Sequence, residues 1–219
     1  MLLDIINKLV NETKESMEGE KKELNIDEVK NYKLEENIEI NEAPGDNEQV
    51  EEIVNVFENT SEIKPEIWST LDLNERLNVF NGLENSIAAI EHRPPANIEV
   101  KQMEENMYGY YDPATNTINL NERDFLGNSS ENYKENLDTL LHEGRHAYQD
   151  YNVGVNEVHP NHEAVEEWSQ NYANGYETGK IPFDFNNVGP KLYEYQPVEY
   201  DARIFAGNVI EDLKKEWNF

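Results

Sequence analysis

Cysteine is absent from the 219-residue sequence. Its absence excludes disulfides, thiolate zinc sites, cysteine-ligated iron–sulfur clusters and cysteine nucleophiles. Basic residues are scarce as well: 18 Lys and Arg stand against 46 Asp and Glu, which leaves a net charge of -28. Because such a charge repels phosphate backbones and anionic lipid surfaces, we expect neither nucleic acid nor a membrane as a partner.

Long hydrophobic runs are also absent, and no apolar stretch approaches the roughly 20 residues that a membrane-spanning helix needs. The amino-terminal segment MLLDIINKLVNET is apolar only briefly, is interrupted by Asp4 and has no basic region before it. It therefore lacks the pattern of a signal peptide. We expect a soluble protein that stays in the cytoplasm or leaves the cell without a cleaved signal peptide.

The acidic amino-terminal region differs in character from the rest of the chain. Residues 11–49 show little apolar periodicity and contain one aromatic residue, Tyr32. Such a composition buries too little apolar surface to offset the entropy of the chain. We predict an acidic arm, disordered or loosely helical, over residues 1–48 and one folded domain over residues 49–219.

Two helices and a small sheet are predicted in the first half of that domain. Apolar residues recur at helical spacing over residues 50–57 and 73–90, and the Arg-Pro-Pro run at 93–95 ends the second helix. An alternating run follows around Ile98. The turn signal DPATN at 112–116 then lies between two more alternating runs, which predicts a β-hairpin and a sheet of about three strands.

Helices dominate the second half. Asn128, Ser129 and Ser130 supply capping side chains for a long helix over residues 131–152. A further helix is predicted over residues 161–179, an aromatic loop over 180–196, and a last helix that begins at Pro197. The order of elements predicts an α+β fold.

The long helix carries the pattern H-E-x-x-H in residues 142–146, which read HEGRH. Residues four apart project from the same helix face, so His142 and His146 can present their imidazoles to one metal ion. Glu143 lies beside them, where its carboxylate can take a proton from a water molecule at the ion and deliver it to a leaving amine. A catalytic zinc site needs a third protein ligand. Without cysteine, this ligand must be His, Asp or Glu.

Glu199 is the leading candidate for the third ligand. It precedes an apolar stripe on the last helix, and a carboxylate on that face is costly unless it is paired or binds a metal. The stripe consists of Ala202, Phe205, Ala206 and Val209. Its rivals are acids on the preceding helix: Glu163, Glu166 and Glu167.

Other polar side chains near these helices have a functional and a purely structural interpretation. Asp201 could accept a hydrogen bond from a ligand histidine or be an exposed helix acid. His159 and His162 could form a second metal site, although Pro160 between them favours a loop. A phenol from Tyr193, Tyr195 or Tyr200 could stabilise an oxyanion, but the pattern selects none of the three.

The motif and its surroundings resemble a known group of enzymes. The metzincin pattern would require a glycine at Gln149 and a histidine at Asn152, so that subfamily is excluded. The order helix, small sheet, HEGRH helix and later EYDARIFA helix resembles the zincin metallopeptidases over residues 70–216. More narrowly, it resembles the compact gluzincin-type domains of repressor-cleaving peptidases of mobile elements and of bacterial polymorphic toxins. Their third ligand lies in a pattern like E-x-x-A-x-x-F-A, matched here by Glu199, Ala202, Phe205 and Ala206.

The resemblance implies a zinc-dependent metalloendopeptidase with Zn²⁺ bound by His142, His146 and Glu199, and Glu143 as the catalytic base. It also implies a bacterial or phage toxin, effector or regulatory protease that acts on a peptide or protein. In zincins an edge strand pairs with the extended substrate, and we predict that residues 117–123 form this strand. Peptide deformylase, which shares the motif, is excluded because it needs a cysteine ligand. The alternative is a catalytically silent zincin fold or an acidic protein that binds a basic partner.

Overall fold

A computed structural model describes residues 42–173 and 193–217 of the chain. Over these ranges the fold is α+β, as the sequence predicts, with seven α-helices and one mixed sheet of three strands. None of the helices there is long and apolar enough to cross a membrane. The helices are α1 (Asp46–Asn59), α2 (Pro65–Trp68), α3 (Leu73–Ile90), α4 (Glu122–Phe125), α5 (Ser130–Gly154), α6 (His162–Ala173) and α7 (Pro197–Trp217). The strands are β1 (Asn97–Lys101), β2 (Gly109–Asp112) and β3 (Thr117–Asn121).

The amino-terminal boundary of the folded part differs from the prediction by a few residues. Helix α1 begins at Asp46, inside the segment assigned to the acidic arm, while residues 1–41 lie outside the described residues. The Ala43 amide donates a hydrogen bond of 2.8 Å to the carbonyl of Val158. This stretch was assigned to the arm from its polar composition, which does not reveal such a backbone contact with a residue far along the chain.

Side-chain caps fix where the two helices next to the sheet begin. At the start of α3, Asp72 accepts a hydrogen bond from the Glu75 amide, and the Glu75 carboxylate accepts one from the Asp72 amide. This reciprocal pair satisfies two amides that have no partner within the helix. At the start of α5, the Ser129 hydroxyl accepts a hydrogen bond of 3.0 Å from the Asn132 amide. The predicted cap of the long helix is therefore confirmed.

The strands are ordered β1-β3-β2, with β3 parallel to β1 and antiparallel to β2. The predicted hairpin is confirmed: the Asp112 carboxylate accepts a hydrogen bond from the Ala114 amide inside the turn, and Asn116 adopts a positive φ of 47°. Asparagine is one of the few residues that tolerates this conformation.

The prediction that residues 117–123 form an edge strand is wrong. Strand β3 is central and every residue in it is buried, and the chain enters α4 at Glu122. Within the described ranges, the edges of the sheet are β1 and β2. The hairpin pattern reveals one neighbour of β3, but its second neighbour, β1, is separated from it along the chain and leaves no local signal.

Two apolar clusters hold α5 and α7 in place. The larger one contains Leu137, Leu140 and Leu141 of α5 together with Phe205 and Val209 of α7. The smaller one contains Tyr148 of α5, Trp168 of α6 and Val198 of α7. Because both helices contribute side chains to both clusters, their relative position is fixed at the level of the H-E-x-x-H motif.

The carboxy-terminal helices are confirmed where the structure describes them, but Tyr193 and Glu194, within the predicted loop, are helical. Helix α6 is described up to Ala173 and α7 begins at Pro197 as expected. Residues 174–179 of the predicted α6 helix, and residues 180–192 of the predicted loop, lie outside the described residues.

Candidate metal centre

Helices α5 and α7 bring three potential metal ligands together. The Nε2 atoms of His142 and His146 are 3.1 Å apart. The carboxylate of Glu199 lies 3.3 Å from His142 Nε2 through Oε2 and 3.4 Å from His146 Nε2 through Oε1. This group could hold a metal ion, since its ligand atoms all lie within 4.8 Å of one another.

Burial makes the position of Glu199 informative. Its exposed fraction is 4 %, and that of His146 is 7 %. Glu199 lies in the first turn of α7, where the helix dipole favours a negative charge. The Tyr193 hydroxyl also donates a hydrogen bond of 2.5 Å to its Oε1. The carboxylate is therefore held in a fixed orientation towards the two imidazoles.

Gln149 determines the tautomer of His146. Its side-chain nitrogen lies 2.9 Å from the Val198 carbonyl oxygen and 2.7 Å from a carboxylate oxygen of Asp201. Both of these are acceptors, so the amide nitrogen must face them and its oxygen must face His146 Nδ1, at 2.8 Å. An amide oxygen accepts only, so Nδ1 carries the proton. In a neutral His146, Nε2 then presents its lone pair to His142 and Glu199.

The negative charges around His146 favour a cation at this position. Burial alone lowers the pKa of His146, but the hydrogen bond with Glu199 and the charges of Glu143 and Glu199 outweigh it and raise the pKa to about 9. A proton and a metal ion would therefore compete for the same nitrogen.

Glu143 lies on the side of the motif that faces β2. Its Oε2 accepts a hydrogen bond of 2.8 Å from the Tyr111 amide. Next to β2, the Asn121 amide donates a hydrogen bond to the Tyr108 carbonyl. In an antiparallel pair, every second residue points its amide and carbonyl groups towards the neighbouring strand. The backbone groups of Gly109 and Tyr111 therefore point away from β3. This edge of β2 pairs with no other strand in the described part of the chain, and it runs beside the catalytic candidate Glu143.

Gly109 allows β2 to approach this closely. A Cβ atom at this position would lie 2.6 Å from the Asn119 carbonyl oxygen and 2.6 Å from Cγ2 of Thr139 on α5. Both distances are too short for a real contact, so no other residue fits without displacing the strand from the helix.

A pocket of about 700 Å³ opens between β2, α5 and α6. Glu143 and His146 form part of its wall, and aromatic side chains form much of the remainder: Tyr110, Tyr111, Tyr172 and Tyr193. Asp150, one helical turn after His146, also lines it. The pocket therefore adjoins the candidate metal ligands directly.

Arg145, inside the motif, points away from the ligands into a buried polar network. Its guanidinium contacts the Asp201 carboxylate at 2.8 Å and Asp46 at 2.7 Å, and it donates a hydrogen bond of 3.1 Å to Gln49. Its Cζ also lies 4.4 Å from the ring centre of Phe205. The side chain thereby joins α1, α5 and α7 behind the candidate metal centre.

Asp201 does not accept a hydrogen bond directly from His142 or His146, although one interpretation of the sequence suggested this. Asp201 contacts Arg145 and Gln149, and it is Gln149 that contacts His146. An i+3 relation on one helix places Gln149 within reach of His146, and Asp201 contacts the other end of the Gln149 amide. The sequence reasoning used Gln149 only to exclude the metzincin pattern and missed its role.

The remaining sequence candidates do not join the group. The three rival acids on α6 are exposed to solvent: Glu163, Glu166 and Glu167. His159 is buried against the Tyr148 hydroxyl at 3.1 Å, while His162 is exposed and pairs with Glu157. Tyr195 and Tyr200 are exposed. Among the described residues, the only His and acid side chains clustered closely enough for a metal ion are the two histidines of the motif and Glu199.

A second buried charge cluster, missed by the sequence reasoning, lies behind α5. Arg93 contacts Glu84 at 2.6 Å and Glu91 at 2.6 Å, and a Cβ on Gly144 would lie 3.5 Å from the Arg93 guanidinium. One arginine cannot neutralise two buried carboxylates. Burial raises the pKa of Glu91 to about 7, although Arg93 and Arg145 oppose the increase.

Comparison with protein-family models, with curated proteins and with solved structures found no match to this chain. The geometry of the described residues is therefore the basis on which a function can be proposed.

Proposed function

We propose that the protein is a zinc-dependent metallopeptidase with a zincin-type centre, in which His142, His146 and Glu199 bind the ion and Glu143 is the general base. The observation that carries this proposal is the spacing of the donor atoms. Tetrahedral zinc with bonds of about 2.0–2.1 Å separates neighbouring donors by roughly 3.3 Å. The two Nε2 atoms lie 3.1 Å apart, and Glu199 approaches each of them with a different oxygen, at 3.3 and 3.4 Å. With one oxygen of Glu199 as the ligand, the three donor atoms lie within 4.8 Å of one another.

The chemistry of the donors also favours zinc. Two imidazoles and one carboxylate form the ligand set of many catalytic zinc sites, and they leave a fourth position for water or substrate. A site for calcium or magnesium would consist mainly of oxygen atoms. Gln149 supports the assignment because it leaves the Nε2 lone pair of His146 available.

The residues around the ligands match the requirements of peptide hydrolysis. When bound, zinc supplies Lewis acidity that polarises a carbonyl and makes a water molecule more acidic. Glu143 accepts the proton of the attacking water and delivers it to the leaving amine. The Tyr111 amide holds the Glu143 carboxylate beside the site, and the Tyr193 hydroxyl orients Glu199.

The free edge of β2 is the proposed binding site for the substrate backbone. The outward amide and carbonyl groups of Gly109 can pair with an extended peptide without requiring a particular sequence. The proposed substrate-binding strand is therefore β2, the other strand of the hairpin, and not residues 117–123. From the sequence resemblance alone, we propose a bacterial or phage toxin, effector or regulatory protease.

Metal analysis and peptide cleavage test the proposal together. The purified full chain is expected to hold about one zinc ion, as a catalytic site of three protein ligands requires, and both Glu199→Ala and His146→Ala should lose it. Glu167→Ala, which removes an exposed acid from α6, is the matched control and should retain it.

Glu143→Gln separates binding from chemistry. It should keep the zinc ion and lose cleavage of a mixed peptide library. A wild-type chain that binds no zinc would contradict the proposal, and so would cleavage that persists unchanged in Glu143→Gln. Zinc binding and peptide capture without hydrolysis would instead support the catalytically silent alternative.

A further inference from the structure

Among the described residues, a carboxylate in the pocket beside the candidate metal centre has no cationic partner. Asp150 is partly buried in the pocket wall, and its hydrogen-bond partner is the Tyr111 hydroxyl, 3.4 Å from Oδ2. Neither Lys nor Arg lines the pocket in the described part of the chain. Burial raises the pKa of Asp150 above its ordinary value, and the hydrogen bond from Tyr111 offsets part of that increase.

The position of Asp150 relates it to the reaction site. His142, His146 and Asp150 follow one another at four-residue intervals on α5, so they project from the same helix face. Glu143 and His146 belong to the same pocket wall as Asp150. A side chain that enters the pocket would therefore belong to a substrate residue next to the bond that Glu143 helps to cleave.

We propose that this pocket binds a lysine or arginine side chain of the substrate and that Asp150 supplies the counter-charge. The inference rests on the proposed peptidase function and specifies its substrate class. The rings of Tyr110 and Tyr172, which line the pocket, can pack against the apolar stem of such a side chain. Their faces also attract a cation.

Other substrate side chains suit the pocket less well. An apolar side chain would displace water from Asp150 and leave its charge without compensation, which is unfavourable. An acidic side chain would meet Asp150 and Glu143 as like charges, and a chain of net charge -28 repels acidic peptides at long range. A basic side chain satisfies the carboxylate and the aromatic walls together.

Binding can be measured without cleavage in the zinc-loaded full chain that carries Glu143→Gln. The probes are acetylated Ala-Gly peptides in which one Lys is moved along the sequence, and matched peptides with norleucine in its place. Calorimetry should show the best Lys peptide binding about tenfold more tightly than its norleucine counterpart, a typical contribution of a charge-assisted pair.

Variants on the same helix identify the group responsible. Asp150→Asn should reduce the Lys preference to near unity, whereas Asp150→Lys should shift the preference to Glu at the same position. Asp138→Asn is the matched control: it removes one acid from α5 twelve residues away, roughly 18 Å along the helix axis, and should keep the preference. Equal binding of the Lys and norleucine peptides would overturn the pocket assignment.

Cleavage of a random peptide mixture by the wild-type chain distinguishes this inference from the proposed function. Lys and Arg should be enriched at one position beside the cut, and Asp150→Asn should remove the enrichment. Cleavage with no such enrichment would overturn the pocket assignment and leave the peptidase proposal standing. Selective binding of Lys peptides without any cleavage would support the pocket and overturn the peptidase proposal.

Discussion

Replacement of Gln149 by methionine should weaken zinc binding without changing a ligand. The side chain keeps its length and loses both polar atoms. His146 Nδ1–H then has no acceptor, and the Val198 carbonyl loses the hydrogen bond that it accepts from Gln149. Asp201 loses one donor but keeps Arg145.

The size of both effects follows from these lost bonds. The Val198 carbonyl and Asp201 keep other partners, in the α7 helix and in Arg145, so His146 Nδ1–H is the group left unpaired. A buried polar group without a partner costs about 1–3 kcal/mol, and the free energy of unfolding should fall by about that amount. Loss of a hydrogen bond behind a ligand histidine weakens metal binding about 10- to 100-fold, or about 1.4–2.7 kcal/mol. The reason is that Nδ1 no longer has to carry the proton, so Nε2 can be protonated instead.

Three measurements separate stability from metal binding. Competition with a zinc-binding dye gives the zinc affinity, urea unfolding in the presence of a chelator gives the stability of the metal-free chain, and ¹⁵N NMR of His146 identifies its tautomer. Gln170→Met, at an exposed position of α6 where the side chain contacts Glu166, should change stability by no more than about 0.5 kcal/mol. A zinc affinity of Gln149→Met within about twofold of wild type would refute the reasoning. So would an Nε2–H tautomer in the wild-type metal-free chain above a pH of about 9, where His146 is neutral.

Three further predictions concern groups around the centre. Between pH 4.5, the ordinary value for the carboxyl of Glu91, and about 7, its value in the folded chain, the folded state binds more protons than the unfolded state. The stabilising contribution of Glu91 to the free energy of unfolding is therefore complete below that range and is lost, by a few kcal/mol, as the pH rises through 7. Urea unfolding at a series of pH values should show this decrease in the wild-type chain, and Glu91→Gln should remove it. Gly109→Val should abolish peptide cleavage while zinc remains bound, because the side chain forces β2 away from Thr139. Arg145→Met leaves Asp201 without its cation and should lower the free energy of unfolding by about 3–5 kcal/mol, measured by urea unfolding.

Each of these predictions has an outcome that would contradict it. An identical pH slope in wild type and Glu91→Gln would show that other groups cause the slope. Full cleavage by Gly109→Val would show that the substrate does not bind along the edge of β2. A change below about 1 kcal/mol for Arg145→Met would place the arginine among ordinary surface ion pairs, and Arg203→Met, a partly exposed arginine of α7, is its control.

Local patterns predicted much of the fold. Helical spacing of apolar residues located α1 and α3, and the DPATN turn located the hairpin, because these signals depend on residues close together in the chain. The order of the strands in the sheet does not depend on such local signals. Strand β1 pairs with β3 through a connection that contains β2, and no alternation within 117–123 records whether one or both edges of that segment are paired.

The residues of the candidate centre also divide into those that local sequence patterns predict and those that depend on tertiary packing. His142, Glu143 and His146 follow from a spacing within one helix, and Glu199 follows from a charge on an otherwise apolar face. The contacts of Gln149 could not be predicted in this way, since they depend on the packing of α7 against α5. The one sequence signal for the network of Arg145 is the arginine itself, because a charged residue that is buried on an amphipathic helix needs partners.

The shared use of Asp201 by Arg145 and Gln149 has a consequence for recognising distant relatives of this chain. The five-residue motif is common by chance, but here it forms one physical unit with the positions that hold it: H-E-x-R-H-x-x-Q on α5 and E-x-D on α7. A lysine at position 145 could not reach Asp46, Gln49 and Asp201 at once, because it lacks the planar fork of arginine. Chains that share the ancestry of this centre should therefore keep or lose the arginine, the glutamine and the aspartate together, so the composite pattern is a far more selective query than the motif alone.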